Sequence, residues 1–96
     1  MATIDVKRSH NKSMDEMKKR AETLARKMEE KFSIQWKWDG DHIQFDTPSG
    51  AAKGTKGQVV VKETSVQVQI DLPFLLRAFK GKIGDKVEQY VKEAVS

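Results

Sequence analysis

The chain reads as an α+β domain with the element order β-α-β-β-β-β-α. Three observations predict it. From Ile34 to Leu72, apolar and polar residues alternate in four successive runs, the period of a strand with one dry and one wet face. On either side, Met14–Phe32 and Ile83–Ala94 carry apolar residues at three- and four-residue spacing, as an amphipathic helix does. Ninety-six residues allow one small domain with one thin core, so residues 1–96 are taken as a single unit.

The elements follow in order. Thr3–Arg8 is a first strand with Ile4 and Val6 on one face, and His10-Asn11-Lys12 turns the chain. Ser13-Met14-Asp15-Glu16 fits a capping box, with the Ser13 hydroxyl accepting from the Glu16 amide. The helix it opens runs to about Lys31, and Ser33 marks its end. Met14, Met17, Ala21, Leu24, Ala25, Met28 and Phe32 form its apolar stripe; Glu16–Arg20, Lys18–Glu22 and Glu22–Arg26 are expected ion pairs on the exposed side. Ile34, Trp36 and Trp38 define the second strand, and Ile43 and Phe45 the third, joined by a tight turn at Asp39-Gly40-Asp41. Residues 47–57 form a small-residue loop, long for a hairpin and expected to be mobile. Val59 and Val61 mark the fourth strand, and Val66, Val68, Ile70 and Leu72 the fifth, with a turn at Glu63-Thr64-Ser65. Pro73 ends the fifth strand because it has no amide hydrogen for the ladder. Phe74–Phe79 is about one helical turn, Lys80-Gly81-Lys82 breaks it, and a last helix runs from Ile83 to about Val95.

The four later strands form a meander. If one helix crosses between the first strand and the second, those two run in the same direction, so the first is antiparallel to the fifth. Placing it there gives the order 1-5-4-3-2, fully antiparallel, with both helices on one face. A parallel pairing of the first strand with the second is the competing topology. Antiparallel pairs outnumber parallel ones two- to three-fold, which favours the first arrangement.

Composition narrows the function classes. There are no cysteines, hence no disulfide framework and no thiolate site. No run approaches a membrane span, and the N-terminus lacks the zones of a signal peptide, so a cytoplasmic protein is expected. The net charge of +4 sits on the helical segments, +3 over residues 1–33 and +2 over residues 73–96, against −1 over residues 34–72. Acidic residues are interleaved throughout, which is the pattern of a solvated surface more than of a nucleic-acid site.

Candidate chemistry is sparse. His10 and His42 have no second ligand at metal spacing, no Gly-x-Ser-x-Gly elbow appears, and the glycines of residues 50–57 do not match a phosphate loop. No catalytic residue, metal or cofactor is therefore assigned. Arg8 and His10 share parity with Ile4 and Val6 and stand at the mouth of the covered face, where such a pair binds an anion or carbonyl group or caps a neighbouring element. Trp36, Trp38 and Phe45 fall on the dry side, which assigns them to the core and not to a base-stacking platform. The wet side shows many amides, among them Gln44, Gln58, Gln67 and Gln69, suited to a subunit interface or to solvent. Phe74-Leu75-Leu76-Arg77-Ala78-Phe79, followed by Lys80, is the most apolar linker, either a lid on the core or an exposed docking patch. The lid is favoured for at least one of its residues.

The chain resembles the polyhydroxyalkanoic acid system family, small bacterial proteins named for genes near polyester-granule synthesis. The matching features are Ile4-Asp5-Val6-Lys7-Arg8-Ser9-His10, the first helix ending at Phe32, Trp38-Asp39-Gly40-Asp41 with Phe45, and Gly57 opening the fourth strand. Leu75-Leu76 before Lys80-Gly81-Lys82-Ile83 completes the order. The chain departs at Leu72-Pro73-Phe74, where a more glycine-like turn is expected, and in a longer alanine–lysine loop. The resemblance implies a setting in polyester storage or acyl metabolism and supplies no catalytic residues.

The expected function is that of a non-enzymatic accessory protein of polyhydroxyalkanoate storage. It would bind a granule surface or a granule-associated partner through Leu75, Leu76, Arg77, Phe79 and Lys80, with Arg8 and His10 as a second candidate site. The alternative is a helix-grip-like carrier holding an acyl or apolar ligand between sheet and helices. A basic nucleic-acid-binding module is the third reading, and homo-oligomerisation is compatible with each.

Overall fold

The structure, a computed structural model, describes residues 2–96. Its elements are β1 (Ile4–Ser9), α1 (Met14–Phe32), β2 (Gln35–Asp39), β3 (His42–Asp46), β4 (Lys56–Val61), β5 (Ser65–Asp71), a 3-10 turn (Phe74–Phe79) and α2 (Lys80–Val95). The strands form one antiparallel sheet in the order β1-β5-β4-β3-β2. β1 lies beside β5 with Ile4 opposite Ile70 and Val6 opposite Val68. The α+β class and the predicted strand order are both present.

Parity explains the layers. Ile43 and Phe45 of β3, Val59 and Val61 of β4, and Val66, Val68 and Ile70 of β5 share one face, and all are buried. α1 covers it with Met17, Ala21, Leu24, Ala25 and Met28, and α2 with Val87, Val91 and Ala94. Ser13 caps α1 by accepting from the Glu16 amide at 3.2 Å, and Ser33 closes it in the left-handed region at φ 60°. Gly40, at φ 65°, makes the β2–β3 turn without steric cost.

Three predicted features differ. Trp36 and Trp38 lie on the dry face, yet they are only half-buried. β2 is an edge strand, so its rings sit at the rim, and their indoles take polar partners there. Trp36 Nε1 donates to Glu29 at 2.8 Å and Trp38 Nε1 donates to Glu22 at 2.7 Å, pinning α1 to the sheet edge. Second, Lys80-Gly81-Lys82 does not break the chain: α2 begins at Lys80, directly after the 3-10 turn. Glycines in a first helical turn cost little because few hydrogen bonds depend on them there.

The expected ion pairs on α1 are also redistributed. Glu22–Arg26 is present at 3.7 Å, but Lys18 reaches Asp41 at 2.9 Å. Arg20 turns to the end of α2, donating to the Ala94 carbonyl at 3.1 Å, where a cation satisfies carbonyls that the helix leaves unpaired. Lys27 donates to Glu93 at 2.6 Å across the same helix pair, and this hydrogen bond, with the lysine's charge, holds the Glu93 carboxyl below its ordinary value. A depressed carboxyl stabilises the fold above the ordinary carboxylate range, and that stabilisation is lost as pH falls.

Gly84 lies inside α2, and a Cβ built on it meets no atom within 4 Å. Gly84→Ala is therefore expected to raise stability by about 0.5–1 kcal/mol through the unfolded chain's lost freedom. Urea denaturation checks this; a destabilised variant would mean that the helix needs the bare backbone.

Candidate functional site

The 3-10 turn is built by what surrounds it. Leu72 is buried and anchors the end of β5. Pro73 follows at φ −63° and ψ 156°, and its carbonyl accepts from the Leu76 amide at 2.9 Å, closing the first turn. In a 3-10 turn, side chains three apart stand one above the other. Leu76 and Phe79 make one row, and Leu76 rests against the core. Phe74 and Arg77 make another, and Leu75 and Ala78 a third, all four pointing to solvent.

The result is a small apolar surface. Phe74 is 80% exposed, Leu75 84% and Phe79 50%. Arg77 in the turn and Lys80 and Lys82 just after it are all exposed, and none is in an ion pair among the described residues. The lid expectation therefore holds for Leu76, which packs on the core, while Phe74, Leu75 and Phe79 stand clear of it. Leu72, just before the turn, is buried in the core, and Leu76 is the residue of the turn that packs against it.

Arg8 and His10 are not brought to this surface. Arg8 Nη2 donates to Glu88 of α2 at 2.6 Å, tying the edge strand to the helix above it. His10 is buried; its Nε2 bonds the Lys62 carbonyl at 2.7 Å and its Nδ1 accepts from the Lys12 amide at 3.1 Å. Those two bonds fit a neutral ring donating through Nε2, so the imidazole ties the end of β1 to the end of β4. Both residues thus hold contacts within the fold, Arg8 to α2 and His10 to the segment after β4. Trp36–Glu29, Trp38–Glu22 and Arg20 are contacts that pattern reading missed; the available signal was that an edge-strand tryptophan needs a polar partner for its indole.

The space between sheet and helices bears on ligand carriage. An open cleft of about 510 Å³ lies between β1 and α2, beside Ile4, Val6, Gly81 and Gly84, whereas the tighter cavity lined by Met28, Phe32, Phe45, Ile70, Leu72 and Ile83 among others has a volume of about 10 Å³. That is room for one water at most. The loop before β4 closes over this end: Gly54 donates to the Thr47 carbonyl at 2.9 Å, and Thr47 and Thr55 are both buried. Among the described residues there is no group of three metal-ligating side chains, and no helix is long and apolar enough to cross a membrane.

Comparison with known proteins adds one finding. The family model described as "Putative polyhydroxyalkanoic acid system protein" matches residues 4–95. No curated protein and no solved structure matches. The match takes in every strand and both helices, including the turn that carries the exposed patch, and the chain belongs to the polyhydroxyalkanoic acid system family.

Proposed function

We propose that this protein is a non-enzymatic accessory factor of polyhydroxyalkanoate storage that docks on the polyester granule through the 3-10 turn. The observation that carries the reading is the exposure of Phe74 and Leu75 on a 3-10 turn that also holds Arg77 and leads directly into Lys80 and Lys82. Small domains seldom leave such side chains in water together without a use for them. A polyester surface suits the patch, because aliphatic chain covers the apolar side chains and ester carbonyls accept from the cations. The family membership supplies the setting and the turn supplies the means. Such a protein works in the cytoplasm, on the granule. The carrier reading is not favoured, since the cavity beside Met28, Phe45 and Ile83 is too small for an acyl chain and the cleft between β1 and α2 is open to solvent.

The test is co-sedimentation of the purified chain with isolated granules at low and moderate salt. Apolar burial drives the proposed contact, so association is expected to survive moderate salt. Binding that collapses steeply with salt would point to a polyanion such as nucleic acid instead. No association at either salt would overturn the proposal.

A further inference from the structure

The sheet buries one face under the helices and leaves the other open. Strand pairing orders the open face into rows that cross all five strands. One row reads Asp5, Gln69, Gln58, Gln44, Lys37, and the next reads Lys7, Gln67, Val60, His42, Asp39. β4 is the central strand, so each row is nearly symmetric about it, with opposite charges at its ends. The sign at each end reverses between the two rows. Across the whole face, Asp5, Asp39, Asp46 and Asp71 balance Lys7, Lys37, Lys56 and Lys62, on a chain whose net charge is +4.

We infer that this face binds a second copy of the chain, sheet upon sheet, about a two-fold axis parallel to β4. That operation lays β1 over the partner's β2. Asp5 then faces the partner's Lys37, and Lys7 faces the partner's Asp39. Gln69 meets the partner's Gln44, and Gln58, Val60 and Lys62 meet their own copies at the axis. The row of Asp71, Lys56 and Asp46 brings Asp71 over the partner's Asp46, with the two Lys56 side chains between them. Aligned sheets cross at about −30°, which offsets residues two strands from the axis by roughly 5 Å, a gap that a lysine stem spans.

The same features argue against other occupants. A polyester surface has acceptors for the lysines but nothing to answer the aspartates, whereas a second copy answers Asp5 and Asp39 with Lys37 and Lys7, and a polyanion needs a net positive face. In projection the face is roughly 400 Å² per copy, from strand and residue spacings alone. That lies at the small end of specific interfaces, so the dimer is weak and salt-sensitive.

Sedimentation velocity of the full chain, from micromolar to near-millimolar concentration at low salt, is expected to show a monomer–dimer equilibrium. Asp5→Lys sets lysine against the partner's Lys37 at two symmetric places and weakens association at least about tenfold. The exchange Asp5→Lys with Lys37→Asp restores opposite signs and returns affinity to within about threefold of wild type. Asp5 accepts from Gln67 at 2.7 Å, so melting temperatures are compared, and Lys37→Asp alone repeats the test from the other edge. A wild type that stays monomeric throughout overturns the inference. So does a dimer indifferent to both single changes, or an exchange variant no tighter than Asp5→Lys.

Discussion

Gly57→Ala is expected to destabilise the domain by about 2–3 kcal/mol, in the range of an overpacked core. Gly57 sits on the dry face of β4, between Phe45 on β3 and Ile70 on β5. A Cβ built there would lie 2.4 Å from the Gln69 carbonyl oxygen and 2.5 Å from the edge of the Phe45 ring. The ring could swing aside, but the carbonyl belongs to the neighbouring strand and cannot move without opening the ladder. A small domain has only about 5–15 kcal/mol of stability in total, so the variant loses a large part of it. Urea denaturation should show the midpoint falling at unchanged slope. Phe45→Leu added to Gly57→Ala recovers only part of the loss, because the carbonyl contact remains. A Gly57→Ala variant within about 0.5 kcal/mol of wild type would contradict this packing, since surface changes stay within that range.

The second large effect is on binding. The double change Leu75→Ser and Phe79→Ser removes two apolar side chains from the patch while leaving Leu76, the residue that holds the turn to the core. Each buried large side chain contributes roughly 1.5–3 kcal/mol on docking. Their joint loss is expected to weaken granule association by at least a hundredfold, at about 1.4 kcal/mol per tenfold. The melting temperature is expected to stay near wild type, because Leu75 is 84% exposed and Phe79 50% exposed in the free protein. A variant that melts far lower would make the turn a lid after all. A variant that folds and binds as wild type does would remove the turn from the site.

Much of this architecture was legible in the sequence. Alternation from Ile34 to Leu72 identified the inward residues of the meander, and inward Phe45, Val59 and Val68 are buried. Strand direction and the prevalence of antiparallel pairing were enough to place β1 beside β5. Parity, however, reports a face and not a depth. Trp36 and Trp38 point the right way and are still only partly buried, because β2 has a neighbour on one side only.

Local propensity failed at Gly81 for a related reason. Glycine breaks a helix in its interior, yet here it falls in the first turn of α2, where the 3-10 turn already aligns the backbone. The predicted pairs Glu16–Arg20 and Lys18–Glu22 yielded to partners distant in sequence, Ala94 for Arg20 and Asp41 for Lys18. Helical spacing cannot know of a second helix. The candidate site was visible as an apolar linker, but lid and patch have the same composition. What separates them is which side chains reach the core, Leu76 but not Phe74 or Leu75, and that is decided by tertiary placement.

The absence of cysteine from the sequence permits one direct measurement of where the protein touches its granule. Leu75→Cys carries an environment-sensitive fluorophore on the exposed turn, and Gln44→Cys carries the same probe on the open face of the sheet. Granules are then added to each labelled chain. Docking through the turn predicts a blue-shifted, brighter emission from the probe at position 75 and an unchanged spectrum from the probe at position 44. A shift at position 44 with none at position 75 would contradict the account and move the granule contact to the sheet.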